Sequence, residues 1–353
     1  MECKLPEAFE SIYLSFACRS FAGKRTSRIP GETVVKMVQF SSLFNGLAKS
    51  MLIKNGKKDK IDVGRETAAA LAKEARKNEL MLSSPGIVNG EGSNSLASVF
   101  SKRGQKGMNQ DCFVVWEEFG CQEDMIFCGI FDGHGPWGHT VAKRVRKLMP
   151  SSLLCNWQEI LALNPLDLDS EKEPDTRSLG PFDVWKQANL KTFSAIDQDL
   201  EQHPIIDSFH SGTTVLTIVR QGVLIVMANI GDSRAILGTI SDDGSLVPVQ
   251  LTVDLKPNLP QEIERITQRK GRISSSEDES GVYRVWDVIS NQQAMDIVSS
   301  SPGREESSKR LVAHAVRAWK RKRPGLAMDD VSAICLFFHS SSSSPSPDPI
   351  KLQ

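Results

Sequence analysis

The sequence predicts an α+β fold in which antiparallel β-sheets are covered by helices. Strand-like and helix-like segments come in blocks rather than in strict alternation, which disfavours a doubly wound parallel sheet. Met125 to Phe131 is a continuous apolar run, as expected of a strand that is buried on both faces. Thr213 to Val219 and Val223 to Ala228 are β-branched runs on either side of Arg220-Gln221-Gly222, an arrangement that predicts a hairpin.

The other predicted elements follow in order along the chain. Further strands are expected at Ala97–Phe100, Cys112–Trp116, Ser233–Gly238, Val247–Thr252 and Val331–Phe338. Apolar residues at helical spacing predict a helix around Val141, Val145 and Leu148 and another over Phe182–Leu200. A helix over Pro260–Gly271 should have Ile263 and Ile266 facing inward. Two more helices are expected before the last strand, the second with Leu311, Ala315 and Trp319 on one face. The composition of Arg65–Leu80 favours one more helix, outside the main core.

These elements divide the chain into three parts. Residues 1–93 are weakly patterned and are predicted to be an N-terminal extension, partly disordered, with one helix. Residues 94–339 form the predicted domain, and 340–353 are a Ser/Pro-rich tail that we expect to be disordered. If translation starts at Met37 rather than Met1, the first 36 residues are a leader of little structural consequence.

Composition excludes several classes of function. Lys and Arg number 43, as do Asp and Glu, so the formal net charge is zero and nothing favours nucleic acid as the main partner. The basic stretch Lys320–Arg323 is most simply a solvated helix end, where cations favour the helix dipole. Seven scattered cysteines without paired spacing argue against a disulfide framework and a structural zinc site.

Localisation signals are also lacking in the sequence. No apolar run approaches the roughly 20 residues that a membrane span needs, and glutamates precede the short apolar patch from Ile12 to Cys18. Glu2 follows Met1 and Val38 follows Met37, so neither start leaves the glycine that myristoylation requires. We therefore expect a soluble, monomeric protein of the cytoplasm or nucleus, with reduced thiols.

Four short segments place carboxylates beside glycines or at strand ends: Asn109-Gln110-Asp111, Asp132-Gly133-His134-Gly135, Gly231-Asp232-Ser233-Arg234 and Met328-Asp329-Asp330. An Asp that ends a fully apolar strand, as Asp132 does, is costly to bury unless a cation compensates it. Magnesium and manganese prefer such oxygen donors. Each motif alone could equally be a turn, because Asp-Gly is a common turn signal.

Five stretches, in this order, are similar to the signature motifs of the type 2C protein phosphatases: KRGQKGMNQD (102–111), FDGHG (131–135), SGTT (211–214), ANIGDSR (228–234) and MDDVSAICL (328–336). The residues of these stretches most resemble those of the plant branch of the family, and within it a group implicated in growth regulation. The resemblance implies a four-layer α-β-β-α sandwich of two antiparallel sheets. It also implies hydrolysis of phosphoserine and phosphothreonine in proteins by a metal-activated water at a binuclear Mg²⁺ or Mn²⁺ site.

The resemblance also assigns metal-binding roles to individual residues. Asp132 would bridge the two ions, and the carbonyl of Gly133 would hold one of them. Asp329 matches the ligand near the C-terminus, and Asp111 would orient metal-bound water. Asp232 would help to hold a third, looser ion.

The same resemblance implies a catalytic role for His134 and shows two positions, Lys106 and Gln110, that depart from the residue often found in the family. His134 would be the general acid that protonates the departing serine or threonine oxygen. Lys106 stands where an Arg binds phosphate, so it keeps the charge but loses the bidentate fork. Gln110 stands where a Glu often lies.

One piece of the family pattern is absent. Relatives carry several dozen further residues between Val285-Trp286 and Asp287, including an Asp-Gly-hydrophobic-Trp-Asp motif whose first Asp is a metal ligand. Here the chain runs from Trp286 straight into Asp287, as a splice form or a gene-model error would produce. We therefore predict that central strands are missing and that phosphatase activity is low or nil. The chain would then be an impaired pseudophosphatase acting as a binding module, or a product too unstable to accumulate.

Overall fold

Two β-sheets and the helices on their outer faces make up the part of the chain that the computed structural model describes, namely residues 10–16, 34–39, 87–88, 92–93, 96–164, 179–241, 243–268 and 285–338. Two predicted segments lie outside these ranges: the helix over Arg65–Leu80 and the tail from Ser340.

Thirteen strands are present in the described residues: β1 Glu10–Phe16, β2 Val34–Gln39, β3 Ile87–Val88, β4 Gly92–Ser93, β5 Ala97–Lys102, β6 Asp111–Trp116, β7 Met125–His134, β8 Gly212–Thr213, β9 Val215–Gln221, β10 Leu224–Ile230, β11 Ser233–Ile240, β12 Leu246–Gln250 and β13 Val331–Phe338. One sheet has the order β12-β11-β1-β13-β5-β4 and the other the order β2-β10-β9-β7-β6-β3, with β8 paired to the end of β7. All pairs are antiparallel except β2 with β10.

The described part of the chain contains five α-helices, which cover the outer faces of these sheets or connect them: α1 Gly138–Leu163, α2 Pro181–Glu201, α3 Pro260–Gln268, α4 Asn291–Ser299 and α5 Ser307–Lys322. None of them is long and apolar enough to cross a membrane.

Three clusters of buried apolar side chains build the predicted four-layer sandwich. The central cluster lies between the sheets, where Val99 of β5 and Ile334 of β13 meet Ile130 of β7 and Leu216 of β9. A second cluster joins α1 and α2 to β6, β7, β9 and β10. A third joins α4 and α5 to β11 and β13. Alternation along the strands explains this division, because successive side chains point to opposite faces of a sheet.

The N-terminal strand β1 occupies the middle of the first sheet. Its residues pair in antiparallel register with β11, as Ser11 with Gly238, and with β13, as Ser11 with Phe337. β1 therefore separates β11 from β13 in this sheet. Interpreting the first 36 residues as a structurally unimportant leader is therefore wrong, because Glu10–Phe16 is a central strand.

Helix α3 presents a different face from the predicted one. Ile263 is 42% exposed, while Glu262 is buried at 4%. Arg265 stabilises the buried carboxylate, donating from Nε and Nη2 to Glu262 Oε2 over 3.0 and 2.8 Å. The helical period was predicted correctly, but nine residues with only two isoleucines do not determine which side faces the sheet.

Candidate functional site

Two carboxylates of adjacent strands meet at one end of the sandwich. Asp111 opens β6 and is directly paired with Asp132 of β7. Burial is the main reason that the pKa of Asp111 lies well above its usual range, and the carboxylate of Asp132 is the second. Ser332 Oγ lies 2.6 Å from Asp111 Oδ2 and donates to it, which opposes that rise.

Asp329 and Asp330, the two residues just before β13, add two more carboxylates. Both raise the pKa of Asp111 further, so the four groups belong to one electrostatic cluster. Asp330 accepts hydrogen bonds from the backbone amides of Gly104 and Gln110, each at 2.8 Å. These bonds use both of its carboxylate oxygens to fix the loop between β5 and β6.

The predicted phosphate-binding residue lies beside the predicted metal ligand. Lys106 Nζ is 2.9 Å from Asp329 Oδ2, in an ion pair whose side chains are about two-fifths exposed. The ammonium group therefore neutralises one carboxylate of the cluster in this structure.

Glycine is required where the loops of the site cross. A Cβ at Gly104 would lie 2.4 Å from the backbone carbonyl of Asp329, and one at Gly133 would lie 2.3 Å from the carbonyl oxygen of Gly138. Either position would force a backbone apart if it carried a larger residue.

Thr214 connects the strand end of Asp132 to the turn that carries Asp232. Its amide donates to the carbonyl of Asp132 over 2.8 Å, and its Oγ1 accepts from the amide of Asp132 over 3.2 Å. The same hydroxyl lies 2.9 Å from Oγ of Ser233. Asp232, next along the chain, is only 5% exposed.

His134 ends β7 with its side chain exposed. It pairs with Gly212 of β8, and its Nε2 lies 2.7 Å from where a Cβ of Gly212 would stand. A proton donor at this position can be reached from solvent and still lies two residues from Asp132.

The carboxylates of this cluster are the kind of donor that a divalent cation prefers, but they are not grouped closely around one point. Four carboxylates that repel each other, with one buried deeply enough to raise its pKa, are what a hard cation would stabilise. Yet within the described ranges no three His, Cys, Asp or Glu side chains are grouped closely enough to hold an ion. The carboxylates thus supply oxygen donors of the kind that a hard divalent cation prefers.

Arg234, two residues after Asp232 on β11, makes three buried or partly buried contacts of its own. Its Nη2 lies 3.1 Å from Oδ2 of the buried Asp254, and its Nη1 donates to Asn291 Oδ1 over 2.7 Å. Its guanidinium carbon is 4.6 Å from the ring centroid of Trp286. The sequence placed Arg234 in a motif and Trp286 at the predicted junction, but gave no sign that they touch.

Ser332 and Thr214 are site residues for which the sequence gave no specific role. Both lie within stretches that resembled family motifs, and both are small polar residues in or beside a largely apolar strand. That local contrast is the only sequence signal that could have singled them out.

Comparison with known proteins gives a consistent assignment. The family model for protein phosphatase 2C matches residues 97–282. The chain is 53% identical over 363 positions to probable protein phosphatase 2C 34 of Arabidopsis thaliana, covering 88% of this chain and 100% of that protein. It is 44% identical over 359 positions to probable protein phosphatase 2C 48 of Oryza sativa subsp. japonica, covering 86% and 99%.

A solved structure supports the fold. The crystal structure of serine-threonine phosphatase 2C from Toxoplasma gondii aligns with a TM-score of 0.57 and 19% identity, covering 72% of this chain and 100% of that one. The sandwich, the ordered motifs and the extent of these matches agree, and the chain belongs to the protein phosphatase 2C family.

Proposed function

We propose that this chain recognises phosphoserine and phosphothreonine in proteins and hydrolyses them weakly, using Mg²⁺ or Mn²⁺ held by an incomplete binuclear site. The observation that carries this proposal is the pairing of Asp111 with Asp132 at the buried strand ends, which concentrates oxygen donors and negative charge where a cation would be needed. Divalent ions there would supply an activated water and would neutralise charge on the phosphate.

Individual residues of the chain would bind the ions, position the water and donate the proton. Asp132, the carbonyl of Gly133 and Asp329 would hold the ions, and Asp232 would contribute to a third. Asp111, fixed by Ser332, would accept a hydrogen bond from the attacking water. His134 would protonate the departing serine or threonine oxygen.

Lys106 would contact the phosphate, as the resemblance to the family motif implies. Its ammonium group lies on Asp329 in this structure, so a phosphate would have to compete with that carboxylate. Binding of a cation by Asp329 would remove the competition, because the ion and the ammonium group repel each other.

A second candidate function is that of a binding module without useful catalysis. The specific observation in its favour is that the carboxylates do not close around one point within the described residues. The alignments agree with a missing ligand segment. The alignment covers 88% of the 353 residues of this chain but extends over 363 positions. Several dozen positions of the Arabidopsis relative therefore have no counterpart here. The family match also ends at residue 282, just before the proposed junction at 286/287.

Partners and location follow from these proposals. We infer that the chain acts as a monomer on phosphorylated proteins in the cytoplasm or nucleus. Neither nucleic acid nor a membrane is needed for this role.

The test compares this chain with a version in which the corresponding segment of the Arabidopsis relative is inserted between Trp286 and Asp287. Calorimetric titration with Mn²⁺ should show much weaker binding by the present chain. Its Mn²⁺-dependent hydrolysis of a phosphoserine peptide should be far slower than that of the restored chain. Equal affinity and equal rates would overturn the proposal of an incomplete site. A restored chain that is also inactive would overturn the phosphatase assignment of the site.

A further inference from the structure

The outer face of α5 carries a dense set of cations. The sixteen residues of the helix, Ser307–Lys322, include six Lys or Arg and no Asp or Glu. Residues three and four apart lie next to each other on a helix, so Arg310, His314, Arg317 and Arg321 form one row. We call this exposed or half-exposed set of basic side chains the basic face, which consists of Lys309, Arg310, His314, Arg317, Lys320 and Arg321.

This face points away from the core. Leu311, Ala315 and Trp319 on the opposite side of α5 are almost fully buried in the cluster that packs on β13. The helix dipole accounts for cations in the last turn only, and Lys309 and Arg317 lie outside it. Of the carboxylates that the structure describes, none forms an ion pair with Lys309, Arg317 or Arg321.

The pKa of His314 responds to the positive charges around it. Its pKa is lowered by partial burial first and then by Arg317 and Arg310. Both guanidinium groups are thus close enough to the imidazole to oppose its protonation. An anionic ligand would relieve this concentration of positive charge.

The C-terminal end of the basic face is tied to the carboxylate cluster through a short segment. Trp319 Nε1 donates to the carbonyl of Leu326 over 3.2 Å. Met328, two residues on, exchanges hydrogen bonds with Gln105: its carbonyl accepts from the Gln105 amide over 2.7 Å, and its amide donates to Gln105 Oε1 over 3.1 Å. The next residue is Asp329, so α5 ends at the same end of the sandwich as the site.

We propose that the basic face binds acidic residues that flank the phosphoserine or phosphothreonine of a protein substrate. The inference rests on the proposed function, because it takes the phosphate to lie at the neighbouring site. A cluster of carboxylates repels a phosphoprotein rich in Asp and Glu, and a cationic helix beside it offsets that repulsion. The whole chain has no net charge, so the attraction is local to α5 and favours a short acidic segment over an extended polyanion.

The test measures binding rather than turnover. Fluorescence anisotropy is recorded without divalent ions on two labelled phosphoserine peptides, one with glutamates on both sides of the phosphoserine and one with glutamines. The triple variant Arg317→Gln/Lys320→Gln/Arg321→Gln should bind the glutamate peptide about tenfold more weakly, and its affinity should depend less on salt. Affinity for the glutamine peptide should be unchanged.

A matched control removes three charges from the opposite outer layer. The variant Lys143→Gln/Lys186→Gln/Lys191→Gln, on α1 and α2, should bind both peptides as the unaltered chain does. Equal loss in both triple variants, or no preference of the unaltered chain for glutamates, would overturn the proposal. Tighter binding of a DNA duplex or of phosphatidylserine vesicles than of the glutamate peptide, lost in the α5 variant, would overturn it in favour of another partner. Because the assay needs no hydrolysis, preferential binding of the glutamate peptide would support the proposal even if the chain proves inactive as a phosphatase.

Discussion

Arg234 lies over the indole ring of Trp286, with its guanidinium carbon 4.6 Å from the ring centroid, while Nη2 contacts the fully buried Asp254. This contact ties β11 to the short 3₁₀ turn Val285–Asp287, which precedes α4. Burial is the main reason that the pKa of Arg234 is lowered, and Asp254 opposes that shift most strongly. The arginine therefore links β11 to the turn at Trp286 and to the start of α4.

Replacing Arg234 should destabilise the protein strongly. Arg234→Met would leave the carboxylate of Asp254 buried without its cation, and the free energy of unfolding should fall by about 3–5 kcal/mol. Urea denaturation followed by tryptophan fluorescence measures this. Lys191→Met, which removes an exposed ion pair with Glu159, serves as the control and should cost less than about 1 kcal/mol. Similar losses in both variants would contradict the role given to Arg234.

Asp330 should prove to be a structural residue rather than a metal ligand. Its two oxygens accept from the amides of Gly104 and Gln110, and Asp330→Ala would leave both donors unpaired, at a cost of about 2–3 kcal/mol. Asp330→Asn keeps one acceptor oxygen and should lose roughly half as much. If the alanine variant unfolds at the same urea concentration as the unaltered chain, the loop is held by other contacts.

Mn²⁺ should raise the melting temperature of this chain slightly, and Asp132 should be required for the effect. Asp132→Asn removes a charged donor from the carboxylate cluster, so the melting temperature should no longer respond to Mn²⁺. Asp124→Asn, just before the other end of β7, is the matched control and should keep the full response. Differential scanning fluorimetry with and without Mn²⁺ provides the readout. A response that survives in Asp132→Asn would place the cation elsewhere.

The five cysteines that the structure describes should separate into two groups on treatment with iodoacetamide. Burial raises the pKa of Cys112 and of Cys335 to about 12, and it also raises the pKa of Cys128, so at neutral pH these thiols stay protonated and shielded. Cys121 and Cys155 are exposed. Peptide mass spectrometry of the native protein should find the exposed pair alkylated and the buried three intact. Denaturation in urea before labelling should abolish the difference.

Strand β1 should be needed for the stability of the domain. Ile12 pairs with Leu237 on one side and Leu336 on the other. Ile12→Pro removes a ladder donor in a central strand, and the free energy of unfolding should fall by about 1–3 kcal/mol. Glu7→Pro, ahead of the strand, is the control. Urea titrations that do not distinguish the two variants would show that Glu10–Phe16 contributes nothing to the sheet.

Sequence patterns predicted most of the regular structure, because burial of apolar faces determines it. The strand at Val331–Phe338 has its predicted bounds, and α5 buries Leu311, Ala315 and Trp319 as expected. Strand β7 runs three residues further than its apolar stretch, through His134. Pairing with β8 produces that extension, and hydrophobicity does not report such pairing.

The site was less accessible to sequence reasoning. Motif resemblance indicated Asp111, Asp132 and Asp329, but spacing alone could not show that they meet, because Asp111 and its hydrogen-bond donor Ser332 are 221 residues apart. The place of Glu10–Phe16 in the sheet was not predicted for the same reason. Its pairing partners lie far along the chain, and a short apolar patch carries no information about them.

The pairing of β1 with β13 also restricts when the protein can fold. Strand Glu10–Phe16 is synthesised long before one of its two partners, Val331–Phe338, because the two segments lie near opposite ends of the described residues. The six-stranded sheet can therefore be completed only after Val331–Phe338 has been made, and closing so long a loop is slow. Until then β1 and β5 lack their β13 neighbour, so newly made chains should depend on chaperones to keep those edges from pairing with other molecules.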